Sequence, residues 1–460
     1  MTAKPTVSWV CSVCGYVHDG EEPPEECPVC GADRSQFERE VEQAAPASPA
    51  QNSLKVLIAG AGIAGVSAAE ALRKAAPEAE IVLVSNELSL PYYRLNLTRY
   101  LAGEISADQL EIHPAGWYAE QRIDLRLGAH LETLDLQQKA AHFRDQSQLS
   151  FDRLVLAMGS SPYVPPVRGA ERENVFSLRT HKDADAILSA FQGGRRCICV
   201  GGGLLGLETA GALARRGVFV TILENQAWLL PRQLNPAASR LFQVMVEALG
   251  IKVITFARLR ELTGDSRVRR ALLENGDSLP TEGVVFSAGV RSNAAIARQA
   301  GLDVNLGVLV DDHLQTSHPD VFAAGDLCEH RAVLYGTWQP AQLQGAIAGH
   351  NAAYGSAYGG VLRTFGSVPR SNTLKVLGID LFSIGKLAAE NAADVVVEGE
   401  RDGNYLFFLF QEDRLTGAIL LGDASQSVQV KKLVELRQDC GTLLAANPQV
   451  EDVLDYLRQI

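Results

Sequence analysis

The chain has 460 residues, 47% hydrophobic and 21% charged, with 41 glycines and a net charge of −12. A length of this order buries several cores, about two to four domains' worth, and the glycine content suits an α/β enzyme with many tight turns. The acidic balance excludes a nucleic-acid surface, and no stretch approaches the run of about 18 apolar residues that a membrane helix needs. The N-terminus "MTAKPTVSWVC" lacks the apolar core of a signal peptide, so a cytoplasmic protein is expected.

Residues 1–42 are acidic and cysteine-rich, with three basic residues against nine acidic ones. Here "CSVCGYVHDGEEPPEECPVCG" sets Cys11, Cys14, Cys27 and Cys30 in two CxxCG knuckles. In a reducing compartment such a quartet reads as metal ligands rather than as disulfides. The knuckle turn points backbone N–H groups at the thiolates, and Gly15 and Gly31 can take the positive φ this requires. Four thiolates in tetrahedral array suit iron or zinc, and spacing does not choose between them. His18 is expected at the surface, because four sulfurs already complete the coordination. A domain of about 40 residues depends on its metal for stability. Next, "QAAPASPAQNS" (43–53) carries no charge, no large apolar side chain and two prolines, as a linker does.

From Leu54 strands and helices alternate. "KVLIAGAGIAGVSAAEALRKAAP" reads as strand, glycine turn and helix, and "AEIVLVSN" as the next strand. Gly60 permits the tight turn, Gly62 lets a pyrophosphate approach backbone N–H groups, and Gly65 lets the helix pack closely on the sheet. Asn86 and Glu87 end that second strand, where an acidic side chain can accept hydrogen bonds from ribose hydroxyls. The unit recurs in "RRCICVGGGLLGLETAGALARRG" and "VFVTILEN", with Gly201, Gly203 and Gly206 in the turn and Glu224 after the strand. A carboxylate at Glu224 suits a free 2′-hydroxyl and repels a 2′-phosphate, so NADH is expected rather than NADPH. Two dinucleotide sites imply two dinucleotides, and a nicotinamide with a flavin is the economical pair. Cys197 and Cys199 in "RRCICVGGG" are expected to be apolar filler of a buried strand, and nothing near Cys440 lifts it above that reading. Beyond about residue 358 the strands of "LKVLGIDLFSIG", "ADVVVEGE" and "YLFFLFQEDRLTGAILLGD", followed by a helix in "SVQVKKLVELRQ", form a separate α+β tail.

The motifs "GAGIAG", "LVLAMGSSP", "GGGLLGLE", "VVFSAGVRSN" and "VFAAGDLCEH" come in the order seen in the two-dinucleotide flavoprotein oxidoreductases, which residues 54–350 resemble. "PYYRLNLTRYLAGE" and the tail resemble the branch with the NADH:rubredoxin reductases and the flavoprotein part of NADH-dependent nitrite reductases. The resemblance implies an α/β chain with two Rossmann-type domains, the FAD domain split around the NAD domain. The parts are then FAD-binding 54–165 and 284–357, NAD-binding 166–283 and a C-terminal α+β domain 358–460. It implies FAD near Arg94, Ala157, Gly159, Gly325 and Asp326, with Asp326 near the ribityl and pyrophosphate. Glu87 is the expected ribose acceptor, with Asn86 one position away as the alternative. The family often sets a lysine beside the flavin, paired with a glutamate; Arg99 matches the lysine and Glu208 the glutamate. Neither the CxxxxC of disulfide reductases nor the single redox cysteine of peroxidase-type members is present in "PYYRLNLTRYL", which excludes thiol chemistry there.

"WVCSVCGYVHDGEEPPEECPVCGADRSQFE" resembles the rubredoxin domain at the end of rubrerythrins, with Trp9, Tyr16 and Phe37 as its aromatic core, and this implies one iron held by the four cysteines. The expected function is an NADH:rubredoxin-type oxidoreductase that passes electrons through FAD to its own iron centre and on to a partner. Superoxide reductase, rubrerythrin and flavodiiron proteins are the candidate partners by family association. Arg94 and Arg99 are candidates for a basic face that receives the acidic module. The alternatives are a NADH oxidase or nitrite-reductase-like flavoprotein, and a structural zinc module that serves as a docking device.

Overall fold

Strand Lys55–Ala59 begins the first of two parallel five-stranded sheets, and its buried run of apolar side chains is what a strand covered on both faces requires. The computed structural model describes residues 8–11, 16–27, 33–40, 54–354, 361–366, 371–374 and 377–459. The chain divides into two compact units, one of residues 1–96, 107–161 and 290–367, the other of 97–106, 162–289 and 368–460. The expected linker 43–53 lies outside the described residues.

In the first unit the sheet order is Val321–Ala323, Arg153–Leu156, Lys55–Ala59, Glu80–Val84, Ile123–Arg126, all parallel. The strand Val321–Ala323 returns to this sheet after the whole second sheet has intervened, so the first nucleotide fold is split in sequence. A three-stranded antiparallel meander (Leu131–Asp135, Ala140–Phe143, Gln148–Ser150) packs Leu134, Ala141 and Phe143 against Leu57, Val82 and Val84. Two helices, Ile63–Ala75 and Trp338–Tyr354, pack on each other at backbone distance. A Cβ at Gly345 would collide with Ala64 O, and one at Gly349 with Ala68 O. The same unit holds a small antiparallel sheet of Ser8–Cys11, Val17–Asp19 and Phe37–Glu40, with Ser8–Cys11 in the middle.

The second unit repeats the plan. Its parallel sheet runs Val175–Ser177, Val284–Phe286, Arg196–Val200, Phe219–Leu223, Lys252–Ile254. A meander of Leu259–Thr263, Arg270–Leu273 and Ser278–Pro280 covers it with Leu262, Ala271 and Leu273. A second, antiparallel sheet follows in the order Ser371–Leu374, Leu381–Gly385, Arg414–Leu421, Asn404–Gln411, Val395–Arg401. Helices Ser427–Leu436 and Val450–Leu457 bury Leu433 and Leu457 against Phe408 and Phe410 of that sheet. Among the described residues no helix is long and apolar enough to cross a membrane.

The glycine-carved helix contact gives a direct test. Gly349→Ala must part the two helices and is expected to cost about 1–3 kcal/mol, lowering Tm by several degrees. Gly116→Ala, where an added Cβ meets nothing within 4 Å, is the control and should leave Tm unchanged or slightly raised. Equal melting of the two variants would show that the helices are not held at backbone contact.

Candidate functional site

Three strands of the first sheet end side by side at Ala59, Leu156 and Ala323, and the expected FAD residues follow each of them. Ligands of open parallel sheets bind at these carboxyl ends. Gly60 has φ +110°, and a Cβ there would collide with Ala157 O; one at Gly65 would collide with Gly60 O. Nothing lies within 4 Å of a Cβ at Gly62, which N-caps Ile63–Ala75 without a side-chain hydrogen bond. The turn thus stays open where a pyrophosphate would meet the helix's first N–H groups. Ala157 N donates to Ala59 O at 2.7 Å, and Gly159 O accepts from Asn293 N at 3.0 Å. Asp326 accepts from Ser160 Oγ at 2.9 Å. Gly325, at φ +77°, donates its N–H to Gln344 Oε1 at 3.0 Å. Gln344 is 1% exposed, yet its Nε2 has no protein partner. An amide donor buried beside the Gly325–Asp326 loop fits a bound polar cofactor, since an unmatched buried donor costs about 1–3 kcal/mol.

Glu87 is engaged on both oxygens, by Tyr92 OH at 2.7 Å and by Arg94 Nη2 at 2.6 Å. Arg94 also donates to Tyr92 OH at 2.9 Å and lies 5.0 Å from that ring's centre. Burial opposes the charge on Arg94, but the neighbouring Tyr92, Glu87 and Asp326 hold its pKa above the ordinary value. Asn86, next to Glu87, is exposed.

The second unit repeats the geometry of the first turn. Gly201 has φ +117° and abuts Ser287 O, Gly206 abuts Gly201 O, and Gly203 N-caps Leu204–Arg215 with open space where a Cβ would stand. Glu224 is 6% exposed and folds back onto its own turn, accepting from Gly202 N and Gln226 N at 2.7 Å each.

Arg99 and Glu208 do not form the expected pair. The short helix Leu97–Ala102 packs on Leu204–Arg215, and it is Thr98 whose Oγ1 donates to Glu208 Oε2 at 3.2 Å. Arg99 instead bonds Glu104 at 3.3 Å, a carboxylate it shares with Arg215. The physical reason is reach: Glu104 follows Arg99 by one helical turn and the end of its helix, whereas Glu208 is already covered by Thr98. Burial pushes the Glu208 carboxyl up to about 7, against the opposing hydrogen bond from Thr98.

In the N-terminal module Cys11 and Cys27 are 0% and 1% exposed and share one cluster with Phe37, Trp9 and Tyr16. Two buried thiols set together in so small a core fit half of a four-thiolate metal site. Cys14 and Cys30 lie outside the described residues. The remaining cysteines are buried, and burial raises the thiol pKa of Cys440, takes that of Cys328 to about 12 and pushes that of Cys197 well above the ordinary value. Sequence reasoning missed Thr98, Ser160 and Gln344; of these, only Gln344 had a signal, its place next to the close-packing Gly345.

Two nucleotide cradles in tandem, the first split around the second and each with an open glycine turn, define a two-dinucleotide oxidoreductase. The chain belongs to the pyridine nucleotide-disulphide oxidoreductase family, whose profile matches residues 54–345. Residues 371–438 match the rubredoxin NAD+ reductase C-terminal domain, and 9–38 the rubrerythrin, rubredoxin-like domain. The chain is 33% identical over 80% of its length to the assimilatory nitrate reductase electron transfer subunit of Bacillus subtilis, and spans about half of that protein (48%). It is 33% identical over 66% of its length to the nitric oxide reductase FlRd-NAD(+) reductase of Salmonella gallinarum, of which it covers 80%. Among solved structures, NADH:rubredoxin oxidoreductase from Clostridium acetobutylicum superposes with a TM-score of 0.71 at 26% identity, over 88% of this chain and all of that one.

The raised Glu208 pKa has a definite sign. The folded state holds the proton more tightly than the unfolded one, so the stabilisation is full below the usual carboxylate pKa and is lost as pH rises through about 7. Glu208→Gln should therefore gain on the wild type between pH 5 and pH 8, by about 1–3 kcal/mol. Thermal melts of both proteins across that range check it, and a Tm difference independent of pH would contradict it.

Proposed function

We infer that the chain is an NADH-dependent flavoprotein that passes electrons to its own Fe(Cys)4 centre and from there to a partner redox protein. One observation carries this reading: the buried Cys11–Cys27 pair stands in the same compact unit as the first nucleotide cradle. The family matches at residues 54–345 and 9–38 support it.

In this reading Gly60, Gly62 and Gly65 receive the FAD pyrophosphate on the open helix end, and Asp326, oriented by Ser160, accepts from the ribityl hydroxyls. Gln344 Nε2 supplies a further donor. Glu87, which accepts from Tyr92 and Arg94 and orients Arg94, keeps lone pairs for a ribose hydroxyl, with Asn86 one position away as the alternative acceptor. Gly201, Gly203 and Gly206 receive the NADH pyrophosphate, and Glu224 faces the 2′-hydroxyl with the lone pairs its backbone bonds leave over. Cys11, Cys14, Cys27 and Cys30 hold the iron. FAD held there would supply hydride acceptance from NADH with one-electron release, and iron held by the four thiolates would supply a one-electron relay. Overall, NADH yields NAD+, a proton and two electrons, so each turnover serves two one-electron acceptors.

Metal analysis tests the carrier reading. Protein expressed with ample iron should hold about one iron per chain and show thiolate-to-iron charge transfer besides the flavin bands. Full zinc occupancy would favour the docking-module alternative, and NADH turnover that reduces oxygen while the iron stays oxidised would favour the oxidase.

Glu224 is expected to favour NADH over NADPH by about 1–3 kcal/mol in kcat/KM. Glu224→Ala should narrow that gap, and equal use of both nicotinamides by the wild type would remove the role.

A further inference from the structure

The cysteine cluster of the N-terminal module does not end within the module. Tyr93 and Leu95, from the segment "PYYRLN", pack against the same cluster as Cys11, Cys27 and Phe37. The rings form a continuous column. Tyr16 meets Phe37 edge-on at 6.4 Å and Tyr93 at 6.4 Å, and Tyr93 meets Trp338 at 5.3 Å. Trp338 opens the helix Trp338–Tyr354, which carries Gln344 and through it holds Gly325, the neighbour of Asp326. The column thus runs from the thiols to the element that shapes the flavin loop.

The support beneath Tyr93 is firm. Its N–H donates to Leu110 O at 2.7 Å, and its carbonyl accepts from Asn96 N at 2.8 Å. Its neighbours Tyr92 and Arg94 are both turned to Glu87, so the chain on either side is pinned by a charge-assisted network. The arginines expected to attract the acidic module each hold a carboxylate. Arg94 is bound to Glu87 and Arg99 to Glu104, and each side chain is only about a quarter exposed, 26% and 23%. Among the described residues, Tyr93 and Leu95 are what this segment packs on the cysteine cluster, and aromatic anchors in packed contacts dominate docking energy.

We propose that Tyr93 and Leu95 are the docking seat of the N-terminal module, and that this apolar contact sets how fast the module is reduced. The proposal rests on the electron-carrier reading above. Tyr93 is a positioning residue in it: it touches the module and not the reacting atoms.

The experiment uses full-length, iron-loaded protein with FAD bound. Stopped-flow absorbance follows flavin reduction by NADH and, separately, bleaching of the iron band, in wild type, Tyr93→Ala, Tyr93→Phe and Leu95→Ala. Hydrogen exchange over residues 8–40 is measured on the same oxidised proteins. Tyr93→Ala should slow iron bleaching about tenfold, the loss expected for one aromatic anchor. Flavin reduction should stay within twofold of wild type, and exchange in the module should rise. Tyr93→Phe keeps the ring and should behave as wild type, and Leu95→Ala should fall between. Raising the salt tenfold should change the wild-type iron rate by less than twofold, since an apolar contact is not screened. Iron bleaching at the wild-type rate in both Tyr93→Ala and Leu95→Ala, or a steep fall with salt in the wild type, would overturn the seat. If iron in the wild type never bleaches with NADH, the electron-carrier reading fails instead; unchanged module exchange in Tyr93→Ala would then overturn the seat as well.

Discussion

Everything in the first unit hangs on two helices that touch at their backbones. Gly345 and Gly349 on Trp338–Tyr354 leave no room for a side chain against Ala64 and Ala68 on Ile63–Ala75. Contact this close fixes both the height and the rotation of the later helix, because its neighbours cannot slide without a clash. Gln344 consequently reaches the Gly325 N–H, and Trp338 reaches the Tyr93 ring. The glycine turn at Gly60–Gly65 belongs to the same helix pair, so the cofactor cradle and the surface met by the cysteine module share one rigid reference.

Several carboxylates around the two glycine turns are matched close by. Glu87 with Arg94, Glu104 with Arg99 and Arg215, and Glu224 with its own turn each satisfy a carboxylate within a few residues or one helix contact. Glu208 is the departure: it is covered by Thr98 with no cation in its hydrogen bond, and burial keeps it near neutral pH in its titration. A carboxyl poised in that way can change charge when a cationic or aromatic ring is laid over it, which an ion-paired glutamate cannot do without breaking the pair.

The two nucleotide folds were legible because their constraints are steric and local. Gly60, Gly65, Gly201 and Gly206 each stand against a backbone carbonyl, and no other residue type fits, so the motif and the geometry are one statement. The strands of the C-terminal part and the helix after them were also legible, from apolar runs separated by hairpin-type breaks, and Phe408 and Phe410 pack on the helices that the tail's last residues supply. Side-chain partnerships were not. Arg99 and Glu208 were expected at the places of a family lysine and glutamate, yet Arg99 meets Glu104 close by in sequence, and Glu208 meets Thr98 through helix packing that spans more than a hundred residues. Glu87 shows the same limit: its position after the strand suggests a ribose, and its actual bonds to Tyr92 and Arg94 depend on how a loop folds back.

The cysteines outside the N-terminal module bear on how the chain is matured. Cys197, Cys199, Cys328 and Cys440 are sealed in cores at 1% exposure or less, and burial holds the thiols of Cys197, Cys328 and Cys440 protonated far above neutral pH. A protonated, enclosed thiol neither captures a metal ion nor exchanges with a disulfide. Once the nucleotide folds have closed, an incoming ion finds no rival sulfur among these four. A metal ion bound for the proposed four-thiolate site would then meet no competing ligand in these folded cores.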